Sequence, residues 1–257
     1  MKQANYFMGI DLGTQSVRVV VADMSGNVVV SDEQAYETLY PQAGWAEQRP
    51  ADWWRCLNTA VANVTDKLSI GLRYSISAVS VCATSPTIIP VDENGEALTN
   101  AIMWMDNRAV KETELVNATH HPILDYCGGE DSVEWTIPKM LWIKNNQPEI
   151  YQKSYKIIEQ LDYINHKLCG KFTNSVCQAA CKAHYVACEG GWSDDFFNQA
   201  GLEDYKDKMI LDVTRVGDVL GTINKDFAEK YDLNPEMLVV QGGIDAHIGM
   251  LGLGGDR

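Results

Sequence analysis

The stretch YFMGIDLGTQSVRVVVADMSGNVVV, residues 6–30, indicates the fold of this chain. Residues 6–10 and 17–22 are apolar runs typical of buried strands, and they flank a polar, turn-like segment at 11–16. A Ser-Gly-Asn turn then leads into a third β-branched run at 28–30. Three strands joined by short turns predict that the domain opens with a β-meander.

Downstream of the meander, predicted strands and helices alternate. Further strands are predicted at four places: 76–82, 87–91, 156–158 and 238–241. Helices are predicted from Pro50 onward, at 106–118, at 138–146, at 162–168 before Gly170, in short pieces over 193–231, and after 241. This alternation predicts the α/β class.

The charge balance excludes two classes of partner. The chain has 257 residues with 35 acidic and 21 basic side chains, which gives a formal net charge of −14 at pH 7. Nucleic-acid binding and polybasic membrane anchoring both need a basic face. No apolar stretch approaches the roughly 18 residues that span a bilayer, and the first residues lack the apolar segment of a secretory signal. We therefore predict a cytoplasmic protein that binds neither nucleic acid nor membrane.

Seven cysteines are present, without a C-x-x-C pair. The closest spacing, Cys177 to Cys181, would place both thiols on one face of a helix, but the four-ligand spacing of a zinc site is missing. We predict free thiols in a reducing compartment rather than a zinc site.

The polar segment after the first strand is the first candidate for chemistry. Gly13 allows the backbone to approach a bound group closely, and the N–H groups and hydroxyls of Thr14 and Ser16 can donate to phosphate oxygens. Asp11, at the strand end, is placed to hold Mg²⁺ through water. Arg18 lies two residues beyond Ser16, on the same strand face. An ordinary tight turn is the alternative, since D-x-G-T also occurs by chance.

Residues 242–245, Gly-Gly-Ile-Asp, follow a predicted strand and form the second candidate. Two glycines allow a substrate to press against the backbone, and Asp245 could take a proton from a hydroxyl nucleophile. The alternative is a turn in which Asp245 caps the helix that follows.

The third candidate is MWMDNRA at 103–109. A Trp beside the carboxylate of Asp106 and the guanidinium of Arg108 is a frequent combination in carbohydrate sites. The alternative is a helix N-terminus that is capped by Asp106 and has a solvated Arg108.

Five segments, in order, resemble the N-terminal half of the FGGY carbohydrate kinases, within the actin/hexokinase/Hsp70-like superfamily. They are GIDLGTQS at 9–16, GWAEQ at 44–48, WMDNRA at 104–109, PKMLWIKN at 138–145 and GGIDA at 242–246. The resemblance covers essentially the whole chain, and five motifs in order are a specific signal. It implies an actin-like, ribonuclease H-like α/β ATPase domain, with a mixed sheet that opens with a β-meander and has helices on both faces.

The resemblance also implies roles for the candidate residues. Asp245 would be the general base that deprotonates a sugar hydroxyl for attack on the γ-phosphate of ATP, and Asp11 would help to hold Mg²⁺. Phosphate contacts would come from Gly13, Thr14, Gln15, Ser16 and Arg18. Sugar contacts would come from Ala83, Thr84, Ser85, Asp106, Arg108 and Asp245.

The substrate branch is indicated by shorter segments. Residues 83–86, Ala-Thr-Ser-Pro, stand where xylulokinases carry Met-His-Gly and glycerol kinases carry an Arg-Glu pair. Residues 128–129, 132–135 and 180–185 look more like the ribulokinase branch, which implies a ketopentose such as ribulose and a sugar contact from Lys182. A solvated helix position is the alternative for Lys182.

Family members carry a second domain of similar size with the second phosphate motif and the adenosine pocket. The resemblance therefore identifies residues 1–257 as the N-terminal sugar-binding domain, ending at the hinge. We expect little kinase activity from this domain alone, because domain closure over the sugar would be missing. A xylulokinase-like or glycerol kinase-like enzyme and a non-catalytic sugar-binding module stay open as alternatives. Sugar and ATP are the expected partners, and homodimerisation is left open.

Overall fold

A computed structural model describes residues 6–254. In that range the strands are β1 (Tyr6–Leu12), β2 (Ser16–Asp23), β3 (Val28–Ala35), β4 (Glu47–Gln48), β5 (Ile76–Ala83), β6 (Ile88–Val91), β7 (Ala101–Ile102), β8 (Lys156–Glu159), β9 (Val219–Thr222) and β10 (Leu238–Val240). The helices are α1 (Pro50–Asp66), α2 (Ile70–Tyr74), α3 (Val110–Asn117), α4 (Thr136–Asn146), α5 (Pro148–Lys153), α6 (Gln160–Cys169), α7 (Val176–Lys182), α8 (Asp194–Gln199), α9 (Tyr205–Lys208), α10 (Lys225–Lys230) and α11 (Asp245–Gly252). Short 3₁₀ helices cover Pro122–Cys127 and Ala187–Glu189. None of the helices formed by residues 6–254 is long and apolar enough to cross a bilayer.

The larger sheet has six strands in the order β3-β2-β1-β5-β10-β9. Strands β1, β2 and β3 pair antiparallel, which confirms the meander predicted from residues 6–30. Strands β5 and β10 lie parallel to β1 and to each other, so the carboxyl ends of three central strands meet at one edge. Such an edge is where ligands bind in open α/β sheets. Strand β9 was predicted as helix or loop, because four residues that include a glycine carry too short a pattern to read.

The main core lies between one face of this sheet and the helices α1 and α6. Met8, Ile10 and Leu12 of β1 point into it, at the two-residue period of a strand with one buried face. Helix α1 packs its apolar stripe, including Trp53, over β2 and β3 in the same core. Full burial of such a side chain is worth about 1.5–3 kcal/mol, so this face fixes the register of β1. Asp11 must therefore point to the opposite face of the sheet.

A smaller sheet, in the order β4-β7-β6-β8, carries a second core. Apolar side chains from β6, β7, α3, α4 and α8 form this cluster, with Phe196 among its fully buried members. Strands β4 and β7 were not predicted, since two-residue strands have no period to detect. The second core anchors the segments 44–48 and 104–109 beside the edge of the larger sheet.

Three predicted helices begin at other residues than expected, among them the one predicted at 162–168, which begins at Gln160. The helix predicted at 106–118 begins at Val110, because residues 104–108 form turns in which the N–H of Asp106 donates to the carbonyl of Met103 (3.1 Å). The helix predicted at 138–146 begins two residues earlier, at Thr136. The predicted stop at Gly170 is confirmed, since Gly170 has φ 73° in the left-handed region that glycine favours at a helix end.

Candidate active site

Three loops meet where β1, β5 and β10 end. The N–H of Thr84, after β5, donates to the carbonyl of Leu12 at the end of β1 (3.1 Å). The N–H of Ala83 donates to the carbonyl of Gly243, after β10 (3.3 Å). The sheet thus brings together the predicted phosphate turn 13–16, the predicted sugar loop 83–85 and the predicted base segment 242–245.

The turn at 13–16 offers free backbone donors. It is closed by a hydrogen bond from the N–H of Gly13 to the carbonyl of Ser16 (3.0 Å), and the hydroxyl of Tyr36 donates to the same carbonyl (2.9 Å). Within residues 6–254, the N–H groups of Thr14 and Gln15 form no hydrogen bond. A groove of about 380 Å³ opens over this turn. Two free amides on a fixed turn suit the oxygens of a phosphate.

Ser16 and Arg18, which were predicted to contact phosphate, are bound to carboxylates of the chain itself. The Ser16 side chain is buried, and its hydroxyl donates to Oε1 of Glu33 (2.5 Å). The Arg18 guanidinium is exposed and pairs with Glu33 (3.1 Å) and Asp11 (3.3 Å). Both side chains would have to exchange these partners to bind a phosphate, and their phosphate role stays a prediction.

Asp11 is half-buried beside a larger groove, of about 680 Å³, that runs along the sheet face opposite the main core. One oxygen accepts from Arg18, and the Sγ of Cys82 lies 3.5 Å from the other. Mg²⁺ is commonly held by one or two carboxylates, with water and phosphate oxygens completing its shell. The half-buried carboxylate of Asp11, on the strand that leads into the turn with the free Thr14 and Gln15 amides, fits that donor set.

Asp245 opens helix α11, as the sequence predicted. Its Oδ1 accepts the N–H of Ala246 (2.7 Å), which is a contact within the first turn and leaves the half-buried carboxylate able to accept elsewhere. Burial, then the charge of Asp11 and then that of Asp245, raise the pKa of the Cys82 thiol to about 12. Both carboxylates are thus near enough to this thiol to act on it, and Ile248, on the helix that Asp245 opens, lines the same groove as Asp11.

Trp104 connects the 103–109 segment to the turn at 13–16. Its Nε1 donates to Oγ1 of Thr14 (3.0 Å). The side-chain amide of Gln48 donates to the carbonyl of Thr14 (2.7 Å), while its oxygen accepts from Nε1 of Trp53 (2.8 Å). Neither Trp104 nor Gln48 was among the predicted site residues. Their positions inside two of the recognised segments were the signal that could have singled them out.

Asp106 and Arg108 form a buried pair beside the rings of Trp45 and Trp142. The Asp106 carboxylate is fully buried and accepts from the N–H of Ala46 (2.6 Å), while Arg108 donates to both of its oxygens (2.8 Å each). The guanidinium also pairs with Glu47 (2.8 Å) and lies 3.9 Å from the ring centroid of Trp45. Both side chains are turned into the fold. Any contact with a sugar would be made through the loop they shape, and their sugar role stays a prediction.

Lys182 ends helix α7, on the far side of the sugar loop. Its ammonium lies 5.0 Å from the ring centroid of Trp135, and the side chain is half-exposed. The N-cap of α7, Ser175, donates its hydroxyl to the carbonyl of Gly242 (2.7 Å). Helix α7 is thereby attached to the base segment at its N-terminus, while Lys182 lies at its other end.

Buried charges support the floor of the site. Lys139 is fully buried, and its Nζ donates to the carbonyls of Met103 (2.6 Å) and Pro86 (3.0 Å). Burial lowers the pKa of Lys139 to about 7 and raises that of Glu159 to about 7. The sequence analysis assigned neither residue. A lysine inside the apolar run at 137–143 and a glutamate directly after two isoleucines were the available signals.

Asp162→Asn is expected to become progressively more stable than the wild type as the pH rises above about 4. Burial, and then the charge of Glu159, raise the pKa of Asp162 in the folded chain. The stabilising contribution of such a carboxyl is present below its unfolded pKa of about 4 and is lost as the pH rises through the raised folded value. The amide cannot ionise and can keep the hydrogen bond from Thr173 (3.2 Å).

Urea unfolding at three pH values measures this difference between the variant and the wild type. Glu159 and Lys139 titrate in both proteins, so their contributions largely cancel in the difference. Asp66→Asn, at an exposed position near the end of α1, is the matched control and should show no such trend. A difference between wild type and Asp162→Asn that does not change with pH would contradict the expectation.

The chain also matches known sequences. Residues 6–252 match the model of the FGGY family of carbohydrate kinases, N-terminal domain. An FGGY carbohydrate kinase domain-containing protein of Homo sapiens is 34% identical over 98% of this chain and 48% of its own length. A D-ribulokinase of Saccharomyces cerevisiae is 31% identical over 97% of this chain and 38% of its own length. The chain thus spans about half, or less, of the curated relatives it matches.

Solved structures agree on the fold. A xylulose kinase from Rhodospirillum rubrum superposes with a TM-score of 0.87 over 97% of this chain and 51% of that one, at 21% identity. A gluconate kinase from Lactobacillus acidophilus gives 0.86 over 98% of this chain and 50% of that one, at 22% identity. These likenesses confirm the actin-like α/β class expected from the sequence. The match of the family model over nearly all described residues means that the chain belongs to the FGGY family of carbohydrate kinases and corresponds to its N-terminal domain.

Proposed function

We propose that this chain is the sugar-binding half of an ATP-dependent kinase that phosphorylates a hydroxyl of a ketopentose such as ribulose. The observation that carries the proposal is the meeting of the 13–16 turn, Asp11 and Asp245 at one edge of the sheet. Free amide donors, a carboxylate that suits a metal ion and a candidate base at one edge of the sheet are what phosphoryl transfer to an alcohol requires.

In this proposal Asp245 accepts the proton of the sugar hydroxyl. The hydroxyl oxygen then forms a bond to the γ-phosphorus while the bond from that phosphorus to the bridging oxygen breaks, which leaves ADP and the sugar phosphate. ATP supplies the phosphoryl group, and Mg²⁺ neutralises the phosphate charge. The chain's own residues orient the reactants: Asp11 faces the metal position, and the amides of Thr14 and Gln15 face phosphate oxygens.

The proposed sugar pocket lies between the 83–85 loop and helix α7. Ala83, Thr84 and Ser85 form its wall on the β5 side, and Lys182 faces it from the end of α7. Asp106 and Arg108 are proposed to shape the opposite wall through the indole of Trp104, since their charged groups are buried.

The choice of a ketopentose rests on segments of the ribulokinase type and on the D-ribulokinase of Saccharomyces cerevisiae, at 31% identity. Xylulose kinases of Lactococcus lactis and Bacillus subtilis are 27% and 26% identical. The similarity to these kinases favours five-carbon ketoses over glycerol as the first compounds to test.

Ribulose is expected to raise the thermal unfolding midpoint of this chain. A ligand at 100 times its Kd stabilises the folded state by about 2.7 kcal/mol, which corresponds to about 5–10 °C for a domain of this size. The panel should include D- and L-ribulose, xylulose, aldopentoses and glycerol. Asp245→Ala should weaken the shift, because the alanine lacks the oxygen that is proposed to accept a hydrogen bond from the sugar hydroxyl.

Asp66→Asn is the control here as well, since α1 ends at the opposite end of the sheet from the candidate site. It should leave the ligand shift unchanged. The absence of a shift with every ketopentose, or an equal shift in Asp245→Ala, would contradict the proposal. A shift with glycerol alone would move the substrate to the glycerol kinase branch.

A further inference from the structure

Helix α7 lies between two of the loops that form the candidate site. At its N-terminus Ser175 holds the carbonyl of Gly242, next to the base segment. In its first turn, the Sγ of Cys177 lies 3.1 Å from Nδ1 of His247 on α11. At its C-terminus it carries Lys182. The position of α7 therefore sets how Lys182 and Asp245 lie relative to each other.

One buried carboxylate joins α7 to the sugar loop. Glu159, at the end of β8, accepts the hydroxyl of Ser85 (2.6 Å) and the side-chain amide of Gln178 (2.7 Å) on the same oxygen, Oε2. Its other oxygen lies 3.5 Å from the hydroxyl of Thr136. Glu159 is 7% exposed and Gln178 is fully buried, so water does not compete freely for these bonds.

Gln178 depends on Glu159 more than Ser85 does. Among the described residues, the side-chain oxygen of Gln178 has no hydrogen-bond partner, so its bond to Glu159 is the one that holds the amide. A buried amide that loses its partner is destabilised by about 1–3 kcal/mol. Removal of Glu159 would therefore displace Gln178, and with it the middle of α7.

The Glu159 carboxylate lies in an environment that disfavours its charged form. Burial raises the pKa of Glu159, and the buried Asp162 and half-buried Cys177 also face it. The buried ammonium of Lys139 attracts it but donates its hydrogen bonds to backbone carbonyls. An apolar side chain of similar size would avoid this desolvation. An apolar side chain, however, could not accept hydrogen bonds from both Ser85, in the loop after β5, and Gln178, on α7.

We propose that Glu159 is a positioning residue for the sugar site: by holding Ser85 and Gln178 together it fixes the 83–85 loop against helix α7. The role rests on the function proposed above, in which these two elements form opposite walls of the ketopentose pocket. Glu159 does not itself touch the sugar in this assignment. It acts through Ser85 and through α7 on the placement of Lys182.

The test compares Glu159→Ala with Glu159→Gln in the full 257-residue chain. The alanine removes both acceptor contacts. The glutamine keeps an oxygen that can accept from Ser85 and Gln178, so it should restore the position of both elements. Glu149→Ala, at an exposed position on α5, is the matched control. Ser85→Ala removes one of the two contacts without affecting the other, and it serves if Glu159→Ala does not fold.

Two measurements are made on each variant: the Kd for ribulose by calorimetry, and amide hydrogen exchange resolved by peptide. We expect Glu159→Ala to raise the Kd at least tenfold and to speed exchange at both 84–85 and 176–182, while Glu159→Gln stays within about threefold of the wild type. Ser85→Ala should show a smaller rise in Kd, with faster exchange centred on 84–85.

Unchanged exchange at α7 and an unchanged Kd in Glu159→Ala would overturn the positioning role. Equal losses in Glu159→Ala and Glu159→Gln would overturn it as well, because the charge rather than the two contacts would then matter. Wild-type protein that binds no ketopentose would refute the proposed function and the sugar-positioning role together. Wild-type binding with no response to Glu159 variants would refute only the positioning role.

Discussion

Arg108→Met is expected to lower the free energy of unfolding by about 3–5 kcal/mol. The variant keeps an unbranched chain between the rings of Trp45 and Trp142 but removes the guanidinium that donates to both oxygens of Asp106. Asp106 is fully buried, so its charge would lose the only cation that is hydrogen-bonded to it among the described residues, with the buried Lys139 left as a more distant one. Breaking a buried ion pair by removing one partner has an effect of this size.

Arg55→Met is the matched control for this loss. Arg55 pairs with Asp52 at 3.0 Å, close to the 2.8 Å of the buried pair, and the two residues are also near neighbours on the chain. The Arg55 side chain is 65% exposed, against 1% for Arg108. An exposed pair contributes about 0–1 kcal/mol, so urea unfolding should separate the two variants clearly.

A double variant separates lost charge pairing from lost packing. Asp106→Asn added to Arg108→Met removes the unpaired charge while keeping an oxygen that can accept from Ala46. If the charge causes the loss, the double variant is more stable than Arg108→Met alone. A double variant that is no more stable would assign the loss to the contacts with the two Trp rings and contradict the electrostatic reason.

The sequence predicted elements that have a period of their own. The meander at 6–30 and the helix from Pro50 were read correctly, because each pattern of buried residues lies within one element. The same reasoning located Asp245 at a helix start. Contacts between segments that are distant in sequence leave no such periodic pattern. The pairing of Asp106 with the N–H of Ala46 joins residues 60 positions apart, and no local pattern distinguishes it from a solvated helix cap.

The candidate site was predicted in its location and only partly in its chemistry. The five recognised segments do lie together, because two of them follow parallel strands at the same edge and the other three pack on the second core. The buried state of Asp106 and Arg108 could not be read, since charged residues are ordinarily exposed. Glu159 was missed for the same reason, although a charge that directly follows a buried strand is a recognisable departure from the pattern.

Gly242→Ala is expected to destabilise the fold by at least about 3 kcal/mol, at the upper end of overpacking effects. A Cβ on this residue would lie 1.8 Å from the carbonyl oxygen of Val81, which belongs to the central strand β5. The obstacle is backbone, so no side-chain rotation can relieve it. Relief requires β10 to move away from β5, and this movement would also carry the base segment away from the sugar loop.

Two other glycines near Gly242 give the control and an intermediate case. At Gly249 on α11 no heavy atom lies within 4 Å of an added Cβ, so Gly249→Ala should stabilise the helix by about 0.5–1 kcal/mol. At Gly243 the nearest atoms, 3.0 Å away, belong to the Cys177 side chain, which can move in part, so Gly243→Ala should fall between the two. Thermal unfolding midpoints measure the series, at about 2–4 °C per kcal/mol. A midpoint for Gly242→Ala at or above that of Gly243→Ala would mean that β10 can shift freely against β5. Asp245 would then have no fixed position from which to act as a base.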